Sequence, residues 1–144
     1  MGALKFDDGI INLEVNETGR IFSFNPTNAK LYEGFYKLVH ETPVKLENLS
    51  KEAKELDKKE LSKKEKTAEE IRLYSEIDKI LREAFDDTFG EGQADILFGD
   101  QSVASFGSNG DFIFINALMA LFPYFEKETK KRKQKVKSVA AQYK

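Results

Sequence analysis

Five acids fall between residues 86 and 100: Asp86, Asp87, Glu91, Asp95 and Asp100. Carboxylates this close together invite two readings, a divalent-cation site or the capping and solvation of helix ends. Their spacing lacks the alternating acids, central glycine and terminal glutamate of a calcium loop, so capping is the better account. No nucleophile with a base beside it and no oxyanion device accompanies them, which leaves hydrolysis without its parts. His40 is the only histidine and there is no cysteine, so the chain alone cannot supply a two-histidine metal site, a thiolate ligand, a thiol nucleophile or a disulfide. Its place just before Glu41-Thr42-Pro43 suits a residue at the C-terminal end of a helix. Gly90-Glu91-Gly92 has no strand leading into it and no Gly-Lys-Ser/Thr after it, so it is not a phosphate loop. No catalytic, metal or cofactor-binding residue is assigned, and the chain is read as non-enzymatic.

Two other patterns concern binding. Lys130, Lys131, Arg132, Lys133, Lys135 and Lys137 form a basic run. Neutralising phosphates with such a run releases counterions and strengthens nucleic-acid binding. Aromatic residues are not interleaved with it, and a solvated helix end explains it better. Glu126 to Lys144 holds eight basic and two acidic residues, +6, so within a net charge of -2 the stretch Met1 to Phe125 carries -8. The tail is therefore drawn to the body or to an acidic partner. Phe112, Ile115, Met119 and Phe122 make a stripe at helical spacing, to be read as a groove for a partner helix or as core, and core is the simpler account.

These patterns need elements to hold them. Ile10–Val15 and Arg20–Phe24 alternate apolar and polar residues around Asn16-Glu17-Thr18-Gly19, which predicts a β-hairpin offering Ile11, Leu13, Val15, Phe22 and Phe24 to a core. A helix capped by Thr27 should run to about His40, with Leu31, Phe35 and Leu38 on one face, and break at Pro43. Leu46, Leu49, Ala53 and Leu56 continue a narrow helical face. Ser62–Thr67 reads as a charged pause, and Thr67 with Glu70 as the capping box of the next helix, with Ile71, Tyr74, Ile77, Leu81, Phe85 and Phe89 inward. Gly90 ends that helix, and Gln93–Phe98 allows one or two turns before Gly99. After a small-residue loop from Asp100 to Ser108, a last helix should open near Ser108 or Asn109. Ala117 and Ala120 would allow close approach, and a kink or restart is expected at Pro123. Val136, Val139 and Tyr143 are sparse apolar positions in a tail whose last dozen residues are read as an exposed helix or as frayed.

Twelve phenylalanines in 144 residues, eight of them between Phe85 and Phe125, place the aromatic core late in the chain. The whole is read as one domain: a hairpin over residues 1–26, a helical body over 27–125 and a basic tail over 126–144. The fold class is α+β, mainly α, with a two-stranded hairpin packed on about four to five helices. Phe112–Phe125, the most apolar run, spans 14 residues and contains Asn116, whereas a membrane span needs about 20 apolar residues. A membrane span is rejected, and intracellular folding is the default.

The segment Phe85-Asp86-Asp87-Thr88-Phe89-Gly90-Glu91-Gly92-Gln93-Ala94-Asp95-Ile96-Leu97-Phe98-Gly99 resembles the FDxxFGEGxAxxxFG signature of a small family encoded in tail-gene clusters of phages and prophages of Gram-positive bacteria, whose members resemble tail-assembly chaperones. The order of hairpin, helix, charged helical stretch, signature and last helix also fits. The specific match covers about fifteen residues and carries no catalytic chemistry. The resemblance implies a non-enzymatic, self-associating chaperone in the host cytoplasm. It would bind the tape-measure protein, and the major tail protein as well, without a cofactor. The alternative is a nucleic-acid-binding accessory protein acting through the basic tail.

Overall fold

The computed structural model describes residues 1–142; Tyr143 lies outside the described residues. The protein is mainly helical, with an N-terminal antiparallel hairpin followed by four helices: β1 (Ile11–Glu14), β2 (Ile21–Phe24), α1 (Ala29–Asp57), α2 (Lys63–Phe89), α3 (Gln93–Phe98) and α4 (Ile113–Gln142). Residues 1–10 are irregular and exposed. The hairpin register pairs Ile11 with Phe24 and Leu13 with Phe22, so alternate side chains turn inward as a period of two requires. Asn16 and Glu17 adopt positive φ in the connecting turn, and the Val15 amide donates to the Arg20 carbonyl at 2.9 Å.

A two-stranded ribbon is marginal alone, and here it closes over a nest of phenylalanine rings. Phe22 and Phe24 meet Phe89 of α2 at 5.4 and 6.0 Å between ring centres. Phe35 of α1 stacks on Phe125 of α4 at 4.5 Å, and Phe85 stacks on Phe89 at the same distance. Phe98 and Phe114 complete the nest, each touching Phe85. Phe22, Phe35, Phe85, Phe114 and Phe125 are almost wholly buried. Aromatic pairs of this kind contribute about 0.5–1.5 kcal/mol each beyond the area they bury. Most of the late phenylalanines therefore form or flank the core as expected, but Phe106 is exposed and Phe112 and Phe122 are only half-buried, while Phe22, Phe24 and Phe35 from the first 35 residues join it.

Several boundaries differ from the predicted ones. α1 does not stop at His40 but runs through Pro43, and its N-cap is Asn28 rather than Thr27, the Asn28 side chain accepting from the Lys30 and Leu31 amides. Thr42, the residue that proline should push out of helical geometry, is buried, and its hydroxyl donates to the Leu38 carbonyl at 2.6 Å. Buried side chains on both sides of Pro43, Phe35 and Leu38 before it and Leu56 after it, hold the helix together against the local preference. α2 opens earlier than predicted. Ser62 caps it, its Oγ accepting from the Glu65 amide while the hydroxyl donates to the Glu65 carboxylate, so the cap is Ser62 with Glu65 and not Thr67 with Glu70. Thr67 instead donates to the Lys63 carbonyl inside the helix.

The buried face of α2 is Leu73, Ile77, Leu81 and Phe85, with Phe89 half-buried, whereas Ile71 and Tyr74 are exposed. Near its start α2 narrows to a seam of Lys66, Glu69, Leu73 and Ile77, which leaves Ile71 and Tyr74 outside it. α4 opens at Ile113, later than Ser108 or Asn109, because residues 105–112 fold back on themselves: Phe106 bridges Phe112, and the Gly107 amide donates to the Asp111 carbonyl at 2.9 Å. Pro123 lies within α4 without a restart. It is exposed, so water can serve the Met119 carbonyl that loses its donor.

Candidate partner-binding surfaces around the last helix

The acidic, glycine-rich segment is a corner. Asp86, in the last turn of α2, accepts from the Gly92 amide at 3.2 Å and the Ala94 amide at 2.7 Å, satisfying donors at the start of α3. Gly90 caps α2 at φ +118, a conformation closed to residues with a Cβ, and its amide reaches the Asp86 carbonyl at 2.7 Å. Gly99 ends α3 at φ +61, and a Cβ there would sit 3.1 Å from the Arg20 guanidinium. Between them Ala94 and Phe98 are buried. Apart from exposed Glu91, the distinctive positions of the segment thus shape the two ends of α3 or fill the core. Capping is the role found for Asp86, and among the described residues no group of three potential ligands is placed to hold a metal ion.

Two arginines brace that corner. Arg82 Nη1 donates to Asp95 Oδ1 at 2.9 Å, Nη2 to the carbonyls of Gly99 and Gln101 at 2.7 and 2.6 Å, and Nε to Asp78 Oδ1 at 3.3 Å. Asp78 in turn accepts from the Val103 amide at 2.7 Å. Arg20 Nε of the hairpin donates to the Ile96 carbonyl at 2.8 Å. These groups tie α3 and the loop after it to α2 and β2. Sequence reasoning passed over Arg82, although an Asp78–Arg82 pair at i,i+4 beside Ile77, Leu81 and Phe85 was the available signal.

α4 carries three surfaces. Phe114, Leu118, Leu121 and Phe125 face the core. The stripe named from sequence, Phe112, Ile115, Met119 and Phe122, is therefore not the core face, contrary to the simpler expectation. It lies about 100° round the helix and forms a ridge. Phe112, Ile115 and Phe122 are half-buried and Met119 is exposed. Phe112 packs on exposed Phe106 at 4.6 Å, and Phe122 reaches Phe35 at 6.3 Å.

On the opposite flank lies a cleft of about 560 Å³ between the hairpin, α3 and α4, lined by Leu13, Val15, Phe22, Ile113, Ala117, Ala120, Leu121 and Tyr124 among others. Ala117 and Ala120, expected to permit close packing, instead leave this space open. Two of its polar wall residues are engaged in the fold: Arg20 as above, and Asn116 through a reciprocal amide pair with Asn109 at 2.9 and 3.2 Å.

The third surface is the basic end. From Lys130 to Gln142 every residue is exposed and helical. Lys130 pairs with Glu126 at 3.4 Å and Lys131 with Glu128 at 3.5 Å, while Arg132 Nη1 donates to the Thr27 carbonyl at 2.8 Å. Among the described residues Lys133, Lys135 and Lys137 have no acid within 4 Å. His40, placed by sequence at a helix end, stands mid-helix with its ring 4.1 Å from exposed Tyr36.

Geometry of this kind defines an α+β scaffold with apolar and basic surfaces on one long helix. Compared with family models, curated proteins and solved structures, the chain matches none. Among the described residues no helix is long and apolar enough to cross a membrane.

Proposed function

We propose that this chain is a non-enzymatic phage or prophage tail-assembly chaperone. It binds the tape-measure protein during tail morphogenesis in the host cytoplasm, takes the major tail protein as a further partner and self-associates. The observation that supports this most is the ridge of Ile115, Met119 and Phe122 on α4, extended by Phe112 just before it, an apolar stripe that the core leaves partly uncovered. A chaperone for a long helical cargo must cover apolar helix surface reversibly, and a stripe at helical spacing on a rigid helix is suited to that task. The residues that carry the family resemblance act as a structural corner, in keeping with a scaffold for protein contact.

Co-expression with the tape-measure protein tests the reading. Soluble yield of the cargo should rise and the two should co-purify. Met119→Lys with Ile115→Lys should remove both effects while the far-UV spectrum of the chaperone stays unchanged. Unchanged cargo yield with the natural chain, or co-purification indifferent to the double substitution, would count decisively against it. Nucleic-acid binding through Lys130–Lys137 has weaker support, since Lys130 and Lys131 already have acidic neighbours and no aromatic ring stands among the bases.

A further inference from the structure

Beyond the body, α4 keeps a second pattern. Phe125, Thr129, Arg132, Val136 and Val139 recur at spacings of four, three, four and three, the a and d positions of a heptad. The first is sealed in the core and Thr129 is half-buried, while Val136 and Val139 are 61% and 40% exposed. On a helix advancing 100° per residue, Lys133 and Lys135 flank this seam on its two sides, at the e and g positions that select coiled-coil partners by charge. Both lysines lack an acidic neighbour among the described residues, and Arg132 at the base is tied to the Thr27 carbonyl. The seam is thus anchored at one end and open along the rest.

We infer that the exposed half of α4 is a docking helix for an acidic amphipathic α-helix of another protein. That helix buries its apolar edge on Val136 and Val139 and sets carboxylates against Lys133 and Lys135. Charge selects this occupant. Glu126 to Lys144 carries +6, so laying the same segment of a second copy alongside brings like charges together. Two valines give too little apolar area to hold a helix in a lipid surface. The surface is separate from the ridge, so this inference stands or falls independently of the chaperone reading.

The test uses the full chain and a labelled synthetic peptide of four heptads with Ile at a, Leu at d and Glu at e and g. By anisotropy this peptide should bind, and raising salt from about 50 mM to about 500 mM should weaken it about tenfold or more. The same peptide with Lys at e and g should not bind. Val136→Asp with Val139→Asp should lose about tenfold in affinity, and Lys133→Glu with Lys135→Glu should reverse the preference between the two peptides. Equal binding of both peptides by the natural chain would overturn the inference without any variant. So would preferential binding to duplex DNA or anionic vesicles that ignores the valine substitutions, or self-association through Val136 and Val139.

Discussion

From Ile77 to Phe89, α2 is surrounded: Phe85 touches Phe22 of the hairpin, Phe98 of α3 and Phe114 of α4, and Phe89 touches Phe35 of α1. From Lys63 to Tyr74 its packing partner is α1, and Leu73 is the one fully buried side chain of that stretch among the described residues. Both stretches are regular helix. What differs is the source of their stability. The inner half is held by ring packing and by Arg82, whereas the outer half relies on a cap, a narrow seam and exposed ion pairs. Arg72 there bridges Glu69 and Glu76 at 2.9 and 2.6 Å, and hydrogen bonding to Glu69, reinforced by its charge, raises the guanidinium above its ordinary pKa. Exposed pairs of this kind contribute little. The contrast implies that the outer end opens more readily than the inner one while the chain remains folded.

Substitutions can break or sharpen that contrast. Phe85→Ala, deep in the nest, should cost about 3–5 kcal/mol in urea unfolding. Arg82→Met should come next, at about 2–3 kcal/mol, because it strips donors from two carbonyls and two carboxylates at once. Leu56→Ala, near the tip, should fall at the low end of its class, about 2 kcal/mol, since an exposed end relaxes around the loss. If it matched Phe85→Ala, the two halves would not differ as described. Ser62→Ala should cost about 1 kcal/mol through loss of the α2 cap. Its effect on amide exchange should be confined to the tip, and a uniform rise across α2 would show one cooperative unit instead. Smallest of all, replacing Lys133, Lys135 and Lys137 by Gln should move stability by less than about 0.5 kcal/mol.

The hairpin and its inward residues were legible because strict alternation over four or five residues has one interpretation. Gly90 and Gln93–Phe98 were legible because glycine punctuates a short apolar run. The path through Pro43 was not, since a local signal pointed to a break and only the burial of Thr42 and its neighbours outweighs it. The α4 ridge was misread for a related reason. That helix has apolar residues on two adjoining faces, and periodicity alone cannot say which of them the core will take. Arg82 was missed because one more charge on a helix rich in lysine and glutamate reads as solvent-facing until the loop it holds is known. The acids were read correctly as caps for Asp86, whose two amide partners lie six and eight residues away.

One more consequence follows from α4 being a single uninterrupted helix. At about 1.5 Å per residue, the helix runs roughly 25 Å past Phe125, its last buried ring, to Gln142. A stiff rod of that length fixes the separation between whatever grips its outer end and whatever lies on the ridge. Two cargoes held this way would be kept apart at a set spacing, and shortening the rod by whole turns would draw them together in steps of about 5.4 Å.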